Sequence, residues 1–513
     1  MMKRKRNSKA LRAGCKGKRE ASEEVAHFGT SITDVPEPIF KNIVLRLPIR
    51  AIIMCKCVCK PWRRVISDPQ FAKMHFELAQ PCPLVRTLGN ARVARMLHLI
   101  EPSDVDNYDS FSDSRFAKHL RLNYGRDFYL KLDTKLKIPL RNAEQMPQPH
   151  NVSDTKSRLS SERGFKKRCV KVRPKEHKFQ IVNSCKGFVC LSEPSSNNPL
   201  VVCNPVTGEY LNLPGTDESD NNTEKDMVSC GFGLCEETNR YKVVKMIDQG
   251  YFESVYRCPI TGEKSYKKTL VEVHTLGTGT WRRIGYAPYY HSKLKFTTYL
   301  NGFLHWISLD FGKRILIYCF DLGREEFKSV QLPPLGDYFD PIIRWNNQCN
   351  TSLGVLRGSL CLCTWSGYDS LDIWVMKKYG EPKTWTKIVS TYSLCVERWP
   401  YCVYQPISFE ENKGLLMFLS PKSAFIYYQP ENYGRWKYFR ILDVKTKYEA
   451  IAHVPSLISL KDVLNGDGME ILNINLRCSE YKLLGETKAI YLQEVIREAE
   501  TDTDHSPSEG DYD

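Results

Sequence analysis

The chain has 513 residues, 42% of them hydrophobic and 11% aromatic, enough to bury a large core in one big domain and a second small one. It contains no apolar run long enough to span a bilayer and no apolar stretch behind its basic start, so neither a membrane segment nor a secretory leader is expected. The net charge of +15 is unevenly placed: residues 1–20 hold nine Lys and Arg against one Glu, which is +8 of it.

Residues 1–29 read as a basic tail. Lys3, Arg4, Lys5 and Arg6, then Lys16, Lys18 and Arg19, form two basic clusters with a short spacer. This pattern suits a nuclear-import receptor and equally suits a solvated disordered tail. Nothing downstream supplies a base-reading module, so nucleic acid is not expected as a partner. Nineteen cysteines without CxxC spacing fit reduced, buried thiols better than a disulfide framework. The expected location is the nucleus, the cytoplasm or both.

Residues 30–76 are helical in pattern. Pro36 and Pro38 can stand only at the start of a helix, and Pro48 stops it from continuing, which predicts about ten helical residues. Ile39, Ile43 and Leu47 fall on one stripe, with Phe40 and Val44 on the adjoining one. A second helix follows through Ile52, Ile53, Cys55 and Val58. A third begins at Pro61, carries Trp62, Val65 and Ile66, and ends at Ser67-Asp68-Pro69. Three helices this short cannot enclose so many apolar side chains. Covering about 800 Å² of apolar surface at about 25 cal/mol per Å² would gain about 20 kcal/mol, more than an association cost of about 4–15 kcal/mol. An interface is the expected use.

Val35-Pro36, Ile39, Ile43, "RLP" at Arg46–Pro48, "CVCKPW" at Cys57–Trp62 and "VISDPQF" at Val65–Phe71 resemble the F-box motif of the large plant F-box families. The resemblance implies docking on a Skp-type adaptor, and through it on a cullin and a RING protein, as in SCF ubiquitin ligases. It places Val35, Pro36, Ile39, Ile43, Leu47, Pro48, Val58 and Trp62 toward the adaptor. Two departures stand out: Val35-Pro36 replaces the usual leading Leu-Pro, and Pro38 stands where an acidic or polar helix former is usual. Cys55, Cys57 and Cys59 alternate, but zinc needs wider pairs and a fourth ligand, so ordinary packing cysteines are expected.

A linker is expected at 77–90 and a strand-rich domain at 91–460, interrupted by a polar, basic insert at 141–178. Glycine followed by an apolar strand recurs at Gly187, Gly302, Gly358 and Gly414, with one hidden unit at Cys230–Met246. Each unit continues into a hairpin: "VVCNPVTGEYLNLP", "VEVHTLGTGTWRRI", "ILIYCFDLGREEFKSVQLP", "DIWVMKKYGEPKTWTKI" and "FRILDVKTKYEAIAHVP". A degenerate earlier copy lies in "RMLHLIEPSD" and "YLKLDTKLKIPL". Repeats of this period signal a β-propeller of the kelch kind. The expected fold is therefore mostly β: a small three-helix domain followed by a kelch-like propeller of about six blades. A C-terminal extension (461–495) and an acidic tail (496–513) complete the chain.

"NPVTGEYLNLP", "GFGLCEETNRYKVV", "WRRI", "NGFLHW" and "CFDLGREEF" resemble the F-box-associated domain of the same plant families. Trp281, Trp306, Trp365, Trp374, Trp385 and Trp436 are expected between blades, and His305 as a satisfied strand residue. No catalytic or phosphate-loop motif occurs, and neither cofactor nor metal is implied. The expected function is a non-catalytic substrate receptor that holds an unknown target protein. Two alternatives stay open: an F-box interaction protein acting outside proteolysis, and a propeller enzyme with carboxylates or histidines clustered on its inner strands.

Overall fold

The computed structural model describes residues 35–87, 96–101, 128–130, 134–137, 179–192, 198–215, 228–257, 264–287, 297–309, 315–335, 351–366, 370–392, 403–410, 414–420, 423–429, 435–441, 447–464 and 470–474. The basic clusters at 3–6 and 16–19, the 141–178 insert and the acidic tail lie outside the described residues. Among those described, no helix is long and apolar enough to cross a membrane.

Four helices come first: α1 (Glu37–Val44), α2 (Ile49–Cys55), α3 (Lys60–Ile66) and α4 (Pro69–Leu78). The expectation of three helices is corrected. Ser67-Asp68-Pro69 does end α3, but Asp68 then accepts from the Gln70 N–H at 2.9 Å and Pro69 is the first residue of α4. The same three residues stop one helix and start another, because a capping carboxylate and an N-terminal proline are both start signals. Val58 is also outside α2, in the turn that follows it.

The strands that follow are β1 (Cys82–Thr87), β2 (Met96–Leu99), β3 (Phe128–Leu130) and β4 (Thr134–Lys137), then β5 (Gln180–Cys185), β6 (Phe188–Ser192), β7 (Pro199–Cys203) and β8 (Glu209–Asn212). Next come β9 (Val228–Cys235), β10 (Arg240–Arg257), β11 (Lys264–Thr275), β12 (Arg282–Tyr286), and β13 (Thr298–Leu300), β14 (Phe303–Leu309), β15 (Ile315–Asp321), β16 (Glu326–Val330). The fifth and sixth groups are β17 (Thr351–Leu356), β18 (Ser359–Ser366), β19 (Ser370–Met376), β20 (Trp385–Tyr392), and β21 (Val403–Glu410), β22 (Gly414–Ser420), β23 (Ala424–Gln429), β24 (Arg435–Ile441). β25 (Tyr448–His453), α5 (Leu460–Leu464) and β26 (Leu472–Asn473) end the described chain.

These strands form six blades among the described residues, antiparallel except where β3 joins one, with inner strands β5, β9, β13, β17, β21 and β25 each packed on the next around the ring. The propeller expected from the repeat is therefore present, with six blades. Closure is made by β25, which pairs with β1 over the full register Cys82↔His453 to Thr87↔Tyr448. Two expectations change as a result. The 77–90 span is not a simple linker, because it holds β1, whose six residues are all buried. "FRILDVKTKYEAIAHVP" is not a hairpin within one blade: β24 finishes one sheet and β25 opens the next. The degenerate copy is split likewise, since β2 and β4 pair while β3 runs parallel to β24.

Three of the repeated glycines have a common cause. Lys186-Gly187, Asn301-Gly302 and Arg357-Gly358 are two-residue hairpin loops between an inner strand and its neighbour, with both residues at positive φ. Such turns match the right-handed strand twist and favour glycine. Gly414 instead begins β22.

The inner strands are joined across blades by side chains. Asn183 donates to the Phe232 carbonyl at 2.8 Å and accepts from its N–H at 2.9 Å. Thr297 donates to the Cys230 carbonyl, Gln405 to that of Leu353 and Ser352 to that of Tyr404. Trp281 and Trp385, at equivalent places in two blades, donate indole N–H bonds to the Pro214 and Gln331 carbonyls of the preceding blades, each at 2.9 Å. Trp306 and Trp374 are buried; the side chains of Trp365 and Trp436 lie outside the described residues.

The span expected as a C-terminal extension is part of the propeller where it is described. β26 pairs with β8 and Leu464 is buried in a cluster with the β5–β8 blade, while just before this span Asn204 donates to the Ser456 and Ile458 carbonyls and Glu209 accepts from Ser459 Oγ and from the Leu460 N–H.

Candidate functional site

The four-helix domain has two apolar faces. On α1, Phe40 and Val44 are buried, whereas Ile39 and Ile43 are each 54% exposed. On α2, Ile49 and Ile52 are buried and Met54 is 63% exposed; Val58, in the next turn, is 59% exposed. Trp62 on α3 is half-buried, its ring 4.5 Å from that of Phe40, and it holds α3 against α1.

The buried face is seated on the propeller. Phe40, Val44, Ile49, Ile52, Ile66 and Phe71 belong to one apolar cluster with residues of β1, β2 and β4–β8, and with Ile451 of β25. This is the seam where the two ends of the chain close the ring. The cover that short helices need thus comes partly from within: the propeller covers one face, and Ile39, Ile43, Met54 and Val58 stay open, as do Met74 and Leu78 on α4.

Of the eight sequence-predicted positions, Pro36, Ile39, Ile43, Pro48 and Val58 are exposed. Val35, Leu47 and Trp62 are half-buried and pack against the shared cluster. Sequence reasoning missed Met54. Its signal was present, since it is an apolar residue off the Ile49 and Ile52 stripe of its own helix.

Several titratable groups buried in the propeller are held neutral by desolvation. His305 donates its Nδ1–H to the Thr298 carbonyl (3.1 Å) and accepts the Tyr379 hydroxyl at Nε2 (2.7 Å), and burial lowers its pKa to about 4. It is a satisfied strand residue, as expected. Burial likewise lowers His453 to about 3 and raises Cys203 to about 12, so that the thiol remains protonated. The cysteines among the described residues are free, and no group of three or more His, Cys, Asp or Glu among those residues could hold a metal ion.

Comparison with known families separates the two modules. Residues 32–74 match the F-box domain, and residues 145–460 match the F-box associated beta propeller domain. The chain belongs to the F-box-associated β-propeller family. It is similar to the F-box protein At3g07870 of Arabidopsis thaliana, 28% identical over 390 residues that cover 72% of this chain and 76% of that one. It is also similar to the F-box/kelch-repeat protein At3g23880 of the same plant, 22% identical over 84% of this chain and 97% of that one. Among solved structures, a chain from a study of two prolyl endopeptidases aligns with 49% of this chain and 34% of its own, at 12% identity and a TM-score of 0.27. As a member of the F-box-associated family the chain has a substrate-recognition architecture: an F-box, the module that generally binds a Skp-type adaptor, and a propeller suited to a target.

Proposed function

We propose that this F-box protein is the non-catalytic substrate receptor of an SCF-type ubiquitin ligase, joined through a Skp-type adaptor to a cullin and a RING protein. One observation carries the reading: Ile39, Ile43, Met54 and Val58 stay exposed on helices whose opposite face is already buried against the propeller. Large aliphatic side chains gain from leaving water, and a partner is what can cover them. The mechanism is proximity. A target held by the propeller meets the ubiquitin-charged enzyme at high effective concentration, without any reacting group from this chain.

The test is a pulldown of recombinant adaptor by the full chain. Ile39→Asp with Ile43→Asp should abolish capture while the melting temperature stays within a few degrees, because both side chains are outside the shared core. Leu47 is a poorer choice, since it packs partly into that core. Capture that survives the double change would overturn the docking face. Cullin missing from the captured complexes would overturn the ligase reading while leaving adaptor binding intact.

We further propose nuclear import through Lys3–Arg6 and Lys16–Arg19. A fluorescent fusion should lose nuclear enrichment when both clusters become alanine; unchanged enrichment would contradict it.

A further inference from the structure

α2 lies at the centre of the F-box, with Met54 on its open side and Ile49 and Ile52 on its seated side. Its N-cap is Pro48, which has no side-chain acceptor, and no side-chain cap from its own segment satisfies its first turn. The acceptor comes from the propeller. Glu101, 52 residues away and just past β2, is 5% exposed and takes the Ile49 N–H at 2.6 Å. A carboxylate at a helix N-terminus is favoured by the unpaired N–H groups and the helix dipole there, and burial strengthens the bond.

A second contact joins the two modules through α4. A Cβ built at Gly187, in the β5–β6 turn, would stand 3.3 Å from the Phe76 ring of α4 and 2.2 Å from Ser456 Cβ, so α4, the turn and the C-terminal segment meet without spare room. Together with the shared apolar cluster, these contacts leave the F-box no core of its own. A linker would allow the two modules to rotate; a common core does not.

We infer that Glu101 is a positioning residue that locks the F-box to the propeller, so that the docking face and the propeller move as one rigid body. Where a bound adaptor would sit relative to a bound target is then set by this seat. That consequence rests on the receptor reading above, whereas the coupling itself does not.

The experiment is amide hydrogen exchange on the full chain, following peptides from α2 and from β25. In the native protein the two should exchange with the same protection, as parts of one cooperative unit. Glu101→Ala should speed α2 exchange by about tenfold or more, the range for losing a buried hydrogen bond to a charged group, while β25 is unchanged. Glu101→Gln keeps an acceptor oxygen and should restore most of the protection. Small-angle scattering of the adaptor complex adds the orientational readout: Glu101→Ala should broaden its distance distribution at unchanged adaptor affinity. If native α2 already exchanges far faster than β25, or if Glu101→Ala leaves α2 within twofold of native, the inference fails. Should Glu101→Ala not fold, Glu101→Gln and the native comparison still decide it. A native chain that binds no adaptor would sink the receptor reading but leave the exchange result standing.

Discussion

Asn183 acts as a strand neighbour made from one side chain. It answers both the N–H and the carbonyl of Phe232 across a blade seam. Asn183→Ala would leave two buried backbone groups unpaired, and a loss of about 2–4 kcal/mol is expected in urea unfolding. A loss below about 1 kcal/mol would show that the seam does not depend on it. Gly187 and Gly358 make a sharper comparison, because they occupy the same turn position at φ of 87° and 70°. A methyl at Gly358 meets nothing within 4 Å, whereas at Gly187 it would collide with Ser456. Gly358→Ala should therefore cost about 1–2 kcal/mol from backbone strain alone, and Gly187→Ala about 1–3 kcal/mol more. Equal unfolding midpoints for the two variants would refute the close approach.

Elements in this protein are completed by parts distant in sequence. α5 has its first N–H, and the Ser459 hydroxyl just before it, answered by Glu209, about 250 residues earlier, and it buries Leu460 and Leu464 against the β5–β8 blade and its neighbour. Ending the chain after Pro455 should lower stability by about 3–6 kcal/mol from those two leucines alone. Calorimetry of the truncated protein tests this; an unchanged melting temperature would mean that the segment is an ornament on a finished propeller. Elsewhere an ion pair bridges blades. Glu325, in the β15–β16 turn, meets Lys242 of the preceding blade at 2.8 Å and also pairs with Arg282. Burial raises the Glu325 pKa, but the two cations outweigh it and hold the carboxyl below its ordinary value.

For the whole molecule, acid is the condition that separates folded from unfolded chain. His305 and His453 are buried and neutral in the fold, with pKa values lowered by desolvation to about 4 and about 3. In the unfolded chain each would titrate near 6.5. Below that pH the unfolded state binds more protons, so stability present above about 6.5 is lost as pH falls toward 4. The slope is about 1.4 kcal/mol per pH unit for each histidine. Denaturant midpoints measured between pH 7 and pH 5 should fall steadily, and a His305→Asn, His453→Asn variant should show a flatter profile. A profile of the same slope in that variant would exclude these residues as its source.

Much of this was legible in the chain itself. The prolines at 36, 38 and 61 set helix starts and Pro48 limited the first helix, because a residue without an N–H and with a fixed φ has few places to stand. The Lys-Gly, Asn-Gly and Arg-Gly turns, with their following apolar strands, marked the blade period, because only a few residue pairs accept two positive φ angles. These are local rules, and sequence alone determined their outcome: F-box helices ahead of a propeller. What tertiary structure decided was long-range. That β25 returns to pair with β1, that Glu101 caps a helix in another module, and that Ile39 faces water while Phe40 beside it is buried all depend on which surfaces meet. Such meetings leave no periodic trace, since any apolar stripe or buried carboxylate is compatible with many partners until the closed ring selects one.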